Sequence, residues 1–274
     1  MRPISRREAL RFGMLGELGV VVGGVGLFRT GLPWLGPPSN STAVSVPAGA
    51  EALLQPEAVR SRDGVLQVEL LVARQDTTIA GQQARVLTYN GTVPGLTWRV
   101  RPGDRIEVRL RNELESPTNL HTHGLEVSPQ ANGDNPFLSI EPGQVFDYRF
   151  DLPDDHPPGA FWYHPHRHGS VADQLFGGLY GAVIVEGDEV PVSKERLLTV
   201  SDISLSADGQ VAPVSAPEVM MGREGDLMLV NGQYQPARDL CEDPVARQRK
   251  IAFTMTMGAM MGRGREMRSR RMEA

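Results

Sequence analysis

From Val65 onward, apolar and polar residues alternate in short runs separated by turn residues. Leu66 to Val72, Arg85 to Tyr89, Ile106 to Leu110, Val145 to Phe150 and Tyr180 to Val185 are such runs, and each predicts a strand with one buried face. Arg101-Pro102-Gly103-Asp104 and Glu141-Pro142-Gly143-Gln144 punctuate them. Proline presets φ and glycine accepts positive φ, so Pro-Gly favours a tight turn ahead of a new strand. Strands of this length and spacing predict an all-β, antiparallel sandwich or barrel. One short helix is expected at Val171 to Phe176. A second sheet begins near Val190, with strands at Arg196 to Val200 and at Asp226 to Val230, the latter ending in Asn231-Gly232. Residues 239–248 are charged and unpatterned, Lys250 to Met255 reads as a strand, and the last twenty residues are rich in Met and Arg.

Composition narrows the class. The chain has 274 residues, 40% hydrophobic and 22% charged, enough to bury a core. A single cysteine, Cys241, excludes an intramolecular disulfide framework and a thiolate zinc cluster. The net charge of -5 is uneven: residues 247–274 hold eight Lys/Arg against two Asp/Glu, so the body is strongly acidic. Duplex binding needs a basic face, so no nucleic-acid partner is expected. At the N-terminus Arg6-Arg7 precede a glycine-diluted apolar stretch from Phe12 to Phe28 that is interrupted by Glu17. This resembles a twin-arginine export signal and is short for a membrane span. Export to the periplasm or the extracellular space is expected, without membrane contact. The expected organisation is a signal over 1–35, a Pro/Gly/Ser-rich linker over 36–60, a complete domain over 61–190, a partial one over 191–240 and a tail over 241–274.

Candidate chemistry lies in the histidines. All six, His121, His123, His156, His164, His166 and His168, fall within 48 residues. Four form two His-x-His pairs, His121-Thr122-His123 and His164-Pro165-His166. On a strand, side chains i and i+2 share a face, so each pair should present two imidazoles together. Two such strands side by side make a patch of four nitrogen donors. Neutral imidazole binds copper, zinc, iron and nickel, and an all-nitrogen site suits copper better than calcium or magnesium. Pro165 lacks an N–H and belongs at a sheet edge or bulge. Gly124 and Gly169 are expected to let the backbone approach closely beside each pair. His156, in the loop Asp154-Asp155-His156-Pro157-Pro158, is expected to be solvated, and His168 to fall in a turn rather than among the ligands. A metallohydrolase of the His-x-His-x-Asp-His type would need an aspartate where Arg167-His168 stands, and a cupin's glutamate spacing fails at Glu126.

Four motifs occur in order: Asn90-Gly91-Thr92-Val93-Pro94-Gly95, Arg101-Pro102-Gly103-Asp104, Leu120-His121-Thr122-His123-Gly124-Leu125 and Trp162-Tyr163-His164-Pro165-His166. With Gly177 to Val185 as a closing strand, residues 65–188 resemble the first cupredoxin domain of the multicopper oxidases, the laccase-like enzymes. The resemblance implies a cupredoxin-like Greek-key β-sandwich. It also implies one-electron oxidation of phenols, amines or metal ions, coupled to reduction of dioxygen to water. By motif position His121 would bind a type 2 copper, and His123, His164 and His166 a type 3 pair. Asp134, in Gly133-Asp134-Asn135, is the candidate proton relay.

The chain departs from that family after His168, beyond which there is no histidine. A blue-copper type 1 site needs a thiolate and imidazoles, and Cys241 in Asp239-Leu240-Cys241-Glu242-Asp243 has no histidine neighbours. Val230 to Pro236 resembles an early part of the family's second domain, and Ile251 to Gly262 the opening of its third. The resemblance therefore implies a shortened chain with half of the copper cluster, inactive unless a partner chain or missing domain supplies the rest. The alternative is a non-catalytic, exported copper-binding or scaffolding protein.

Overall fold

A computed structural model describes residues 52–187, 194–215, 218, 222–234, 236 and 248–255. The stretch expected as an export signal, most of the linker, the Cys241 segment and the Met-rich tail lie outside the described residues.

The chain folds as a β-sandwich of two mixed sheets. One contains β2 (Val65–Ile79), β3 (Gln82–Tyr89), β5 (Arg105–Asn112) and β7 (Val145–Asp151), in the order β3-β2-β5-β7. The other contains β1 (Ala58–Arg60), β4 (Thr97–Val100), β6 (His121–His123), β8 (Gly159–His164) and β9 (Gly181–Val185), in the order β1-β4-β9-β8-β6. The only helix among the described elements is α1 (Val171–Phe176). The alternation read from the sequence sets the buried faces: Leu66, Val68, Leu70 and Val72 of β2 and Ile106, Val108 and Leu110 of β5 all enter the core. Burying each such side chain is worth about 1.5–3 kcal/mol. On the opposite sheet Trp98 stacks on Tyr163, with ring centroids 3.9 Å apart and planes within 10°.

Two features differ from the pattern-based reading. The sandwich is not wholly antiparallel, because β1–β4, β4–β9 and β2–β5 pair in parallel. Alternation reports which face is buried, whereas strand direction follows from connections that cross between sheets. In addition, Ala58–Arg60, at the end of the stretch expected as linker, forms an edge strand against β4.

A third sheet, β12-β11-β10-β13, follows, made of β10 (Lys194–Ile203), β11 (Leu227–Val230), β12 (Gln233–Tyr234) and β13 (Gln248–Met255). Leu197 of β10 packs against Ala182 and Ile184, which explains why all five residues of β9 are buried. This sheet repeats a device of the first. Asn90 and Asn231 sit at φ 53° and 52°, each followed by a positive-φ glycine. The Asn90 side chain accepts from Leu71 N–H (2.6 Å) and donates to the Glu69 carbonyl (2.7 Å). Asn231 accepts from Thr199 N–H (2.7 Å) and donates to the Leu197 carbonyl (2.9 Å). The same i, i−2 clamp on the preceding strand thus closes both turns, and both clamped strands have a parallel neighbour, β5 for β2 and β13 for β10.

Candidate metal centre

The site is built on the free edge of a sheet. Strand β6 is the last in its sheet and pairs antiparallel with β8, in the register His121↔His164, Thr122↔Tyr163 and His123↔Trp162. Strand pleating places His121, His123, Trp162 and His164 on one face and sends Thr122 and Tyr163 to the other. The second His-x-His pair does not lie on a single strand. Strand β8 ends at His164, and His166 stands beyond Pro165, in the following loop. A different device returns it to the site: its backbone N–H donates to Asn119 Oδ1 at 2.6 Å. Asn119 is fully buried, and its amide donates to the carbonyls of Pro136 and Leu138. The sequence reading missed Asn119, although it stands two residues before the first histidine.

The four imidazoles converge. The His121 ring lies 5.7 Å from His123, 5.3 Å from His164 and 5.1 Å from His166, centroid to centroid. His123 and His166 lie 5.8 and 5.9 Å from His164. One ring nitrogen from each of His121, His123 and His164 falls within 4.8 Å of the others.

Hydrogen bonds fix two of the rings. Asp134 is buried and accepts from His121 Nδ1–H at 2.8 Å, from Thr122 N–H at 2.9 Å and from the Thr122 hydroxyl at 2.5 Å. Burial alone would raise its pKa, but the bonds from His121 and Thr122 outweigh that and hold the carboxyl below its usual range. An ionised acceptor at Nδ1 selects the His121 tautomer protonated there, in which Nε2 is the nitrogen that carries the lone pair. His164 Nδ1–H donates to the Pro165 carbonyl at 2.8 Å. Its Nε2 is buried with no partner among the described residues. Burial, and then the neighbouring His121, push the His164 pKa well down, and at His123, whose outer edge stays exposed, partial desolvation and then His121 lower it to a lesser extent. Both shifts favour the neutral, lone-pair-bearing form of His164 and His123. A buried nitrogen without a partner costs about 1–3 kcal/mol. A metal ion is the partner that suits a cluster of neutral imidazoles, so the residues present fit copper.

The other histidines lie apart. His156 is not solvated as expected: it is 1% exposed. Its Nδ1–H donates to the Pro157 carbonyl at 2.9 Å, and its Nε2 accepts from Glu126 N–H at 3.1 Å, so both nitrogens are used. The ring also meets Phe161 edge-on. A loop reading based on neighbouring Asp and Pro residues could not reveal that this loop folds inward. His168 is exposed in the turn after β8. Gly124 has φ 90°, and a Cβ there would meet the Phe161 ring at 2.9 Å, a close approach as expected. Gly169 has φ 89° with open space around it, so its turn conformation rather than close packing calls for glycine.

A two-sheet sandwich whose edge gathers four imidazoles has the cupredoxin-like fold. Residues 71–190 match the family model described as multicopper oxidase. It is 31% identical over 171 residues to copper resistance protein A of Pseudomonas syringae pv. tomato, covering 62% of this chain and 24% of that one. It is 36% identical over 158 residues to the multicopper oxidase MmcO of Mycobacterium tuberculosis, covering 56% of this chain and 29% of that one. Among solved structures, a Campylobacter jejuni multicopper oxidase described as a metallo-oxidase superposes with a TM-score of 0.59 at 31% identity, over 70% of this chain and 44% of that one. The chain spans less than half the length of each of these proteins.

Proposed function

We propose that this chain is a copper-binding oxidoreductase of the multicopper oxidase type and supplies one half of its copper cluster. His121 would hold the type 2 copper, and His123, His164 and His166 the type 3 pair. The observation that carries this reading is the buried, unpartnered Nε2 of His164 on a ring that has one nitrogen within 4.8 Å of ring nitrogens of His121 and His123. Copper bound there would supply one-electron redox chemistry between a small reducing substrate, such as a phenol, an amine or a metal ion, and dioxygen.

The chain's own residues prepare the donors. Asp134 holds His121 in the tautomer that frees Nε2. The Pro165 carbonyl does the same for His164. Asn119 brings His166 to the cluster from beyond the strand end. Asp134 is also the proposed proton relay, at a place where its carboxylate already touches a ligand ring. No type 1 site is assigned, since Cys241 has no histidine neighbours in the sequence. The twin arginines Arg6-Arg7 support export to the periplasm or the extracellular space.

A second reading, drawn from the lack of a further histidine between His168 and Ala274, is a non-catalytic exported copper-binding or scaffolding protein. One experiment tests both. The full chain is loaded with Cu(II), its bound copper is measured by elemental analysis, and oxidation of a phenolic dye is followed. Copper retained by the wild type and lost in a His121→Ala/His164→Ala variant, with little dye oxidation by the chain alone, is the expected result. A folded chain that retains no copper overturns the metal-site reading, and appreciable turnover overturns the half-cluster reading.

A further inference from the structure

The face that carries the imidazoles has four corners, two on β6 and two on β8, and one of the four is not a histidine. Trp162 stands directly across from His123 and two residues before His164. Its indole stacks on both imidazoles, with centroids 4.0 Å from His164 and 5.1 Å from His123, and planes within 17° and 25°. The two imidazoles lie 5.8 Å apart and are tilted by 41° to one another. These three separations close a triangle rather than a line. The indole is therefore not wedged between the rings; it is a common floor on which both rest. The indole is itself held by packing against Leu175 of α1 and Tyr180.

The restraint is unequally shared. His121 and His164 have Nδ1 tied to Asp134 and to the Pro165 carbonyl. Among the described residues no hydrogen bond reaches either ring nitrogen of His123, which stands exposed at the sheet edge. Ring contacts with neighbouring aromatics are what remain to set its χ2, and the closest of them is with the indole, at 5.1 Å. An aromatic χ2 torsion is broad and roughly two-fold when nothing packs against it. We propose that Trp162 is a positioning residue of the metal centre: its indole fixes the ring plane of His123, and secondarily that of His164, so that both lone pairs converge on one metal position. The proposal rests on the reading that these imidazoles bind copper. It assigns to Trp162 the role that hydrogen bonds play at the other two rings.

The test uses the full chain. Cu(II) affinity is measured by chelator competition for the wild type, Trp162→Phe, Trp162→Leu, His123→Ala and the Trp162→Leu/His123→Ala double variant. Thermal melting and near-UV circular dichroism check the fold. Loss of an outer partner of a ligand costs about 10- to 100-fold in metal affinity. Trp162→Leu is expected to weaken binding by that amount and to broaden the Cu(II) electron paramagnetic resonance spectrum into more than one species. Trp162→Phe, which keeps one aromatic ring, should fall between the wild type and Trp162→Leu. In the His123→Ala background Trp162→Leu should cost much less than it does alone, since the ring it positions is gone. Wild-type affinity and spectrum in Trp162→Leu, or costs that simply add in the double variant, overturn the positioning role while leaving the copper reading intact. A wild-type chain that binds no Cu(II) overturns the copper reading and this role with it.

Discussion

Asp134→Asn separates a carboxylate that positions a ligand from one that only relays protons. The carboxylate is 8% exposed and accepts three bonds, one from His121 and two from Thr122. An asparagine offers a single acceptor oxygen. With its NH2 turned to Thr122, a buried backbone N–H loses its partner, which costs about 1–3 kcal/mol. The favoured arrangement therefore keeps the oxygen on Thr122 and points the NH2 at His121. That donor requires an acceptor at Nδ1, so the ring changes tautomer, and Nε2 becomes N–H and loses the lone pair a metal would use. The bonds exchanged involve an ionised acceptor, each worth about 1.5–3 kcal/mol, so stability should fall by a similar amount. Copper affinity should fall by about 10- to 100-fold. Urea unfolding of the metal-free chain reads the first quantity and chelator competition the second. A proton relay without a positioning role would leave both at wild-type values. Unchanged copper affinity in a folded Asp134→Asn chain would refute the tautomer argument.

Further outcomes follow from other parts of the structure. His156→Ala should destabilise the chain by about 1–3 kcal/mol, because Glu126 N–H and the Pro157 carbonyl lose their partner; copper binding should be unaffected, and a matched loss of copper would place His156 in the site. The metal-free chain should lose stability as pH falls through the ordinary histidine range near 6.5. His164 and His123 have folded pKa values below the unfolded one, so the unfolded chain takes up protons first and the native state loses ground; urea midpoints that stay level between pH 7.5 and 5.5 would contradict this. Asn231→Ala should cost about 2 kcal/mol or more, combining lost clamp bonds with an alanine at φ 52°. An unchanged denaturation midpoint would show that the third sheet does not depend on its clamp.

Much of the sandwich could be read from alternation because burial on one face leaves a period of two in the sequence. Strands β2, β5 and β7 carry that signal, β3 buries Val86 to Tyr89 in an unbroken run, and α1 falls on Val171–Phe176 as the pattern predicts. Strand β4 was not anticipated: Thr97, Trp98 and Val100 are buried and Arg99 nearly so, and a four-residue run without alternation looks the same in a loop. Parallel pairing was invisible for a related reason. A strand's burial pattern is the same whichever way its neighbour runs, so β2–β5 and β4–β9 could be recognised only from the assembled sheets.

At the candidate site the sequence carried the donors but not what aims them. His121 and His123 behave as strand pleating requires, because three residues of β6 suffice to put both rings on one face. His166 does not. Proline interrupts the strand, and the ring reaches the cluster only because Asn119, 47 residues earlier in the chain, accepts its backbone N–H. A spacing motif records which residues are near one another along the chain, whereas a donor becomes a usable ligand through its tautomer and ring plane. Three further groups set these: Asp134 for His121, the Pro165 carbonyl for His164 and the Trp162 indole for His123. One is a carboxylate thirteen residues away, one a backbone atom of the motif's proline and one an aromatic ring across the ladder. They share no residue type and no spacing, so no single sequence pattern could have named them together. What unites them is the pairing of β6 with β8, which places the donor rings and the floor beneath them on one face at the edge of the sheet.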